Sequence, residues 1–229
     1  MTLIFVVLAV AHLKPFAHQN ILDDFHGDGK RKWYPLSKVD LDEDTINALI
    51  GFHAFTGNDF VSSFFRKGKN TCFKLLSSSS KFKAAFSFLG SSWDLTDDIF
   101  DQIQSFVLHI YGMKKAVDTD AARYQLFKRK YDNEEKNVDM SALPPCKSVL
   151  RLHFERAHYL SALWKRATTC RLQYPDPSLY GWNQDKTIMW VDEVFPADVE
   201  SILLDPRYNP DDVEEAYGDS DDEGLPGYD

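Results

Sequence analysis

The sequence predicts a mostly helical protein that begins with a short α/β segment and ends in an acidic, disordered tail. Three observations support this prediction. A run of β-branched and other apolar residues fills positions 3–11, and apolar residues recur at helical spacing between residues 40 and 169. From residue 190 to the end, fourteen acidic residues are accompanied by a single basic residue, Arg207. Such a composition is typical of a solvated, disordered segment.

The composition before the tail is that of a globular chain. Of the 229 residues, 44% are hydrophobic and 14% aromatic, which is enough to build a substantial core. The net charge of −9 comes from the tail, because residues 1–189 carry 25 basic and 21 acidic residues. The three cysteines form no C-x-x-C pair. This argues against a disulfide framework or a structural zinc site and favours a reducing compartment.

The N-terminal run, residues 3–11, is predicted to be a buried parallel strand, because it is short, apolar and β-branched. A signal peptide is the alternative, with Ala-Val-Ala at 9–11 as a cleavage-like triplet. No basic residue precedes the apolar run, and the run is short, so the strand is preferred. No run approaches the roughly 18 apolar residues of a membrane span. We therefore expect no membrane partner and an intracellular protein, either nuclear or cytoplasmic.

Local signals then place the elements in chain order. Residues 31–36 resemble a short strand that Pro35 stops. Acidic residues from Asp40 to Asp44 begin an amphipathic helix, and Gly57 ends it in the manner of a glycine at C′. The remaining predicted helices are residues 60–65, 69–76, 81–89, 95–111, 119–131 and 147–169. Residues 187–195 are predicted to form a strand or an extended arm, and the chain from Pro206 to be disordered.

These elements suggest three domains. Residues 1–90 would form a partial α/β core, residues 91–195 a helical C-terminal region, and residues 196–229 the acidic, largely disordered tail.

The basic segment between Phe60 and Lys83 is the first candidate for function, with six basic residues and no acidic residue. Two short helices joined by a turn at Gly68 would direct backbone N–H groups and lysines at one point, which suits a phosphate. The candidate nucleic-acid contacts are Lys67, Gly68, Lys69 and Lys74. A solvated basic face is the alternative, and it also remains open for the basic helix at 147–171.

Asp59 is the second candidate, as a ligand for Mg²⁺, which prefers oxygen donors. It follows Gly57 in a Gly-Asn-Asp turn. A single carboxylate cannot hold the two ions of a metal-dependent nuclease, and a turn aspartate needs no such role. No serine–histidine–aspartate signature or phosphate loop is present, so no catalytic residue is assigned.

The stretch "HAFTGNDFVSSFFRKGK", residues 53–69, resembles the signature "HAFTGCDTTSAFFGKGK" of a group of invertebrate proteins associated with mobile elements. That group is similar to the PIN-like nucleases, especially their flap-endonuclease branch. Similarity extends over about residues 3–190, through "FLGSSWDL", "FVLHIYGM", "LPPCKSVLRLHFERAHYLSALWKRA" and "YGW". The resemblance implies an α/β remnant of a PIN-like core, with a helix–hairpin–helix, in residues 1–90. It implies a metal role for Asp59, a turn role for Gly57, and backbone contacts from Lys67, Gly68 and Lys69.

The chain also departs from that group. The group has "DTDVVVLAVA", with two acidic metal ligands at the head of the strand, whereas residues 1–5 contain no acid. An acid-rich helix upstream of that strand has no counterpart. Arg66 stands where the group has the first hairpin glycine, and a positive φ is disfavoured there. The chain is therefore expected to be the C-terminal part of such a nuclease, with weak Mg²⁺ binding and no catalysis.

Three functions follow from this interpretation. The first is an inactive PIN-like remnant that binds DNA or RNA backbone without sequence preference. The second is an active Mg²⁺-dependent nuclease whose further carboxylates come from elsewhere, such as Asp23, Asp24, Asp28 or a partner chain. The third is a helical protein-interaction module with an acidic tail.

Overall fold

Seven α-helices make up most of the chain that the structure describes. The structure is a computed structural model, and it describes residues 3–13, 23–25, 31–33, 38–132 and 139–191. The helices are α1 (Leu3–Leu13), α2 (Glu43–Phe55), α3 (Lys69–Ser77), α4 (Ser80–Phe88), α5 (Asp97–Ile110), α6 (Thr119–Asp132) and α7 (Lys147–Lys165). Strand β1 (Asp23–Phe25) pairs antiparallel with β2 (Arg31–Trp33). The prediction of a mostly helical protein is confirmed, as is a strand within residues 31–36.

The prediction of a buried strand at residues 3–11 is wrong, because this run forms helix α1. Val7, Ala9 and Val10 are buried and pack with Leu49 and Ile50 of α2. A short apolar run has the composition of either a buried strand or a buried helix. In the described part of the chain, no strand lies beside it to accept its backbone hydrogen bonds. A helix satisfies these groups internally.

Helix α2 begins and ends where its local signals predict. Asp42 is the N-cap, and its carboxylate accepts hydrogen bonds from the Thr45 amide at 2.9 Å and the Thr45 hydroxyl at 2.7 Å. The Lys83 ammonium lies 2.9 Å from the same carboxylate and joins α4 to this cap. At the other end, Gly57 follows the C-cap Thr56 with φ of +105°. Gly57 thus lies just after the helix with a left-handed backbone conformation that glycine adopts readily.

The core lies where α2, α4, α5 and α7 meet. Phe52, Phe86 and Phe106 are buried and stack edge to face, with ring centroids 4.9–6.5 Å apart. Helices α2 and α4 approach closely at Gly51, where a Cβ atom would lie 2.2 Å from the Phe86 carbonyl oxygen. Helix α2 also contacts α1 and α7. The helices on either side of residue 90 therefore pack together, and Met1–Val191 is one compact unit.

The predicted helix at residues 60–65 is absent, and residues 57–68 form a loop instead. Val61 and Phe64 are buried, at three-residue spacing, which imitates one face of a helix. The helix–hairpin–helix predicted from the resemblance therefore has only its second helix, α3, in this structure.

Toward the C-terminus, α7 ends at Lys165 rather than at 169, and two 3₁₀ turns, Met140–Ala142 and Pro177–Tyr180, flank it in the chain. A single bridge pairs Trp182 with Ile188 in the predicted extended arm. The rest of that arm and the predicted acidic tail, from residue 192 on, lie outside the described residues. Among the described helices, none is long and apolar enough to cross a membrane.

Candidate nucleic-acid interface

The loop at residues 57–68 is organised by the side chain of Asn58. Its Oδ1 atom accepts hydrogen bonds from the backbone amides of Phe60, at 2.9 Å, and Val61, at 3.2 Å. Its Nδ2 atom donates to the Ala54 carbonyl of α2 at 2.9 Å. The Asn58 amide also donates to the Val61 carbonyl at 2.9 Å. Asn58 therefore closes the loop and ties it to the end of α2, in the manner of an Asx turn.

Lys69 ties the far end of the loop to the same helix. Its ammonium donates to the Gly57 carbonyl at 2.7 Å and lies 2.8 Å from His53 Nδ1. Since an ammonium only donates, His53 Nδ1 must accept. The His53 carbonyl, at 3.3 Å, accepts a third bond. Burial lowers the pKa of Lys69 to about 8 and that of His53 to about 4. The sequence predicts that Lys69 contacts phosphate, whereas the structure directs its ammonium at the end of α2.

Two cations of the loop lie against aromatic rings. The Arg66 guanidinium lies 4.9 Å from the centre of the Phe65 ring, and Lys67 Nζ lies 4.6 Å from the centre of the Tyr111 ring. Arg66 has φ of +54°, so the arginine adopts the positive φ that is disfavoured for a residue with a side chain. The ammonium of Lys67 is partly buried, and this burial lowers its pKa.

Gly68 is the N-cap of α3, and neither its backbone conformation nor the space around it requires a glycine. Its φ is −62°, and a Cβ atom there would meet nothing within 4 Å. Because Gly68 has no side chain, the first amides of α3 receive no side-chain cap. Amides at the start of a helix have no partner inside the helix, and together they carry partial positive charge.

A shallow, open depression of about 540 Å³ lies between the loop and the start of α3. Its charged lining side chains are all cations: Arg66, Lys67 and Lys69. The remaining lining residues are Thr56, Gly57, Asn58, Ser63, Phe64 and Gly68. The predicted contacts Lys67, Gly68 and Lys69 thus come together here. Lys74 is exposed on α3 and is not part of the lining.

Asp59, the predicted metal ligand, is exposed on the same loop and does not line the depression. Within the described residues no group of three histidine, cysteine, aspartate or glutamate side chains could hold a metal ion. Asp23 and Asp24 lie in β1, but their side chains are outside the described part, as is all of Asp28.

The basic helix α7 contributes little open positive surface. Arg151 pairs with Asp97 at 2.7 Å and with Glu155 at 3.1 Å. Other basic residues of this stretch turn inward to backbone carbonyls: Arg156 to Gly181, Arg166 to Gly90 and Ser91, and Lys165 to Ser87. These four cations bind other parts of the protein. They therefore form neither the extended basic surface nor the solvated face that the sequence predicts as alternatives for this helix.

Sequence reasoning misses two kinds of residue in this region. It gives Asn58 no role of its own, although asparagine is a known turn residue whose side chain bonds to nearby backbone amides. It takes Phe60 and Phe65 as helix residues, yet they are 62% and 44% exposed in a loop. Hydrophobicity alone offers no signal that a phenylalanine will face solvent.

Comparison with known proteins returns no match: no family model, no curated protein and no solved structure is similar to the chain. The resemblance of residues 53–69 to the mobile-element group therefore stays a prediction.

Proposed function

We propose that this chain is a non-cleaving, PIN-like and flap-endonuclease-like protein that binds the backbone of DNA or RNA without sequence preference. The depression beside α3 carries the proposal, because each charged side chain that lines it is a cation. The uncapped amides of α3 add donors at the same place. Phosphate is the group that lysine, arginine and helix amides bind together, and such contacts carry no sequence information.

The carboxylates argue against cleavage. Metal-dependent nucleases hold Mg²⁺ with several acidic side chains and use the ions to activate water. Asp59 stands alone on the loop among the described residues, and residues 1–5 add no acid. A single exposed carboxylate would bind Mg²⁺ weakly. Nothing in the described part favours the active nuclease over the binding protein.

The test is the salt dependence of duplex DNA binding by the whole chain. We expect the intact protein to bind weakly, with an affinity that falls steeply as salt rises, because bound phosphates release counterions. Changing Arg66 and Lys67 together to Glu should weaken binding of all sequences alike. The magnitude of the salt slope should fall by roughly 0.9 for each phosphate that the variant no longer neutralises. Lys69 is left intact, because its removal would disturb the end of α2.

The matched control is the double change of Lys114 and Lys115 to Glu. Both lysines are exposed in the loop after α5, and the change in net charge is the same. If the two double variants weaken binding equally, only overall charge matters and the depression is not the site. Equal binding by the intact protein and the Arg66→Glu/Lys67→Glu variant would also contradict the proposal.

A further inference from the structure

The loop at residues 57–68 divides its apolar side chains between the core and solvent. Val61 and Phe64 are 2% and 8% exposed, whereas Phe60 and Phe65 are 62% and 44% exposed. The hydrogen bonds of Asn58 hold the Phe60 end of the loop. The bonds of the Lys69 ammonium to Gly57 and His53, which we call the Lys69 clamp, hold the α3 end. Phe60 and Phe65 are thus exposed to water on a loop whose backbone is held at both ends. Packing of the core does not require their exposure, because the core uses Val61 and Phe64.

Cations lie beside Phe65 and on the two residues that follow it in the loop. Arg66 lies over Phe65, and Lys67 lies over the ring of Tyr111, so cations and aromatic rings are interleaved. We call Phe60, Phe65, Arg66 and Lys67 the aromatic–basic surface. No acidic residue occurs between Phe60 and Trp93. The exposed ion pair of Arg66 with Asp139, at 3.8 Å, is too weak to keep the guanidinium from a stronger anion.

We propose that the aromatic–basic surface binds single-stranded nucleic acid, with bases stacked on Phe60 and Phe65 and phosphates on Arg66 and Lys67. This inference rests on the proposed function and specifies its substrate. A single strand offers both an anionic backbone and open base faces, which is the chemistry that rings interleaved with cations recognise. In a duplex the base faces are covered by their neighbours, so the exposed rings gain nothing from it.

Charge complementarity favours this occupant over an apolar protein segment and over self-association through this surface. An apolar peptide would cover the rings but would leave Arg66 and Lys67 without a partner of opposite charge. A second copy that docked through the same surface would bring the same cations against these cations. The neighbouring Asp59 carboxylate is exposed and repels phosphate, so the bases rather than added phosphate contacts must supply the preference for single strands.

The experiment measures fluorescence anisotropy of three labelled probes with the whole chain. The probes are an oligothymidine of about twelve nucleotides, a strand of the same length and charge made of abasic units, and a duplex of the same length. We expect the oligothymidine to bind most tightly. Changing Phe60 and Phe65 together to Ala should weaken its binding about tenfold and leave binding of the abasic strand unchanged. Phe88→Ala, at a ring that is 56% exposed on α4, is the matched control and should change neither.

Each outcome decides between the two proposals. If all three probes bind, but equally, and the phenylalanine variant matches the intact protein, stacking is wrong while backbone binding stands. If the Phe88 control weakens binding as much as the double variant does, the aromatic–basic surface is not the site. If no probe binds at low salt, both this inference and the proposed function are overturned. Thermal unfolding of each variant should show that the fold is kept, since the changed rings are exposed.

Discussion

Single residues decide the shape of the loop that carries the candidate interface. Gly57 leaves α2 with φ of +105°, Asn58 caps the turn, and Arg66 takes a left-handed conformation with φ of +54°. A left-handed residue other than glycine costs about 1–2 kcal/mol. This strained arginine lies next to Phe65 and lines the depression, where its guanidinium would be available for the proposed binding of phosphate.

The two glycines of the region allow a matched prediction, in which the same substitution has opposite effects. Gly57→Ser should lower the free energy of unfolding by about 2–4 kcal/mol, through strain at positive φ and overpacking. A Cβ atom there would lie 2.6 Å from Ser63 Cβ. Gly68→Ser should raise the free energy of unfolding by up to about 1 kcal/mol. A serine at that open N-cap position can accept from the first amides of α3 and restricts the unfolded chain.

Urea unfolding of the two variants beside the unchanged protein checks this prediction. A Gly68→Ser variant that loses as much stability as Gly57→Ser would show that Gly68 is a required turn glycine after all, as the resemblance to a hairpin implies.

At the scale of elements, α7 holds the molecule together through polar side chains that reach other segments. His153 Nε2 donates to the Phe55 carbonyl at 2.8 Å, which fixes the end of α2 below the loop. His158 Nε2 donates to the Ser92 carbonyl at 3.0 Å. Arg156 donates to the Gly181 carbonyl at 3.0 Å. The Phe55 and Gly181 carbonyls belong to buried residues and need such partners, whereas Ser92 is exposed, so α7 organises both the core and the loops around it.

Three buried histidines predict loss of stability in mild acid. Burial lowers the pKa of His53, His153 and His158 to about 4 each, whereas an unfolded histidine titrates near 6.5. Between these values the unfolded chain binds more protons than the folded chain, so the stability rises with pH and is lost as pH falls from about 6.5 toward 4. Each histidine contributes up to about 1.4 kcal/mol per pH unit within this window.

The measurement is the free energy of unfolding in urea at several pH values between about 5 and 7, where most carboxylates stay ionised in both states. His153→Gln should be less stable at pH 7, because it loses a buried ring, but should show a shallower dependence on pH. A stability that is flat over this range would show that the three histidines are not kept neutral by the fold. A slope that the His153→Gln change leaves intact would show this for His153.

For the molecule as a whole, charge is divided along the chain. The net charge is −9, yet residues 1–189 carry four more basic than acidic residues. A net negative protein can still bind a polyanion where its basic residues are gathered on one surface. The depression beside α3 is such a place. Since its cations are few, binding at this place is expected to be weak, and its salt dependence is limited to the few phosphates that they neutralise.

The whole chain should show no Mg²⁺- or Mn²⁺-dependent cleavage of flap or single-stranded DNA. The described residues contain no group of three metal ligands, and residues 1–5 bring no acid. Incubation of purified protein with labelled substrate and either metal measures this. Metal-dependent cleavage that Asp59→Ala abolishes would contradict the prediction and would favour the alternative in which further carboxylates come from elsewhere.

Local signals in the sequence determined most of the helices. The acidic start and the glycine end bound α2, and apolar periodicity placed α4, α5, α6 and α7 within a few residues. These signals work because capping, glycine conformation and amphipathic spacing act over only a few residues of chain. They also placed Gly57, Lys67, Gly68 and Lys69 in one neighbourhood, since all four lie within thirteen consecutive residues, 57–69.

Tertiary structure decided the rest. The run at 3–11 has an apolar composition that suits a strand or a helix, and its packing on α2 made it α1. The spacing of Val61 and Phe64 suits a helix face, but the Asn58 bonds and the Lys69 clamp made a loop and turned Phe60 and Phe65 outward. Lys69 and Arg156 have the pattern of surface charges, but distant carbonyls lie within reach of them in the fold. In each case the outcome depends on a contact with a residue far along the chain, or on a local side-chain bond that competes with the helix. The apolar spacing of a segment shows neither of these.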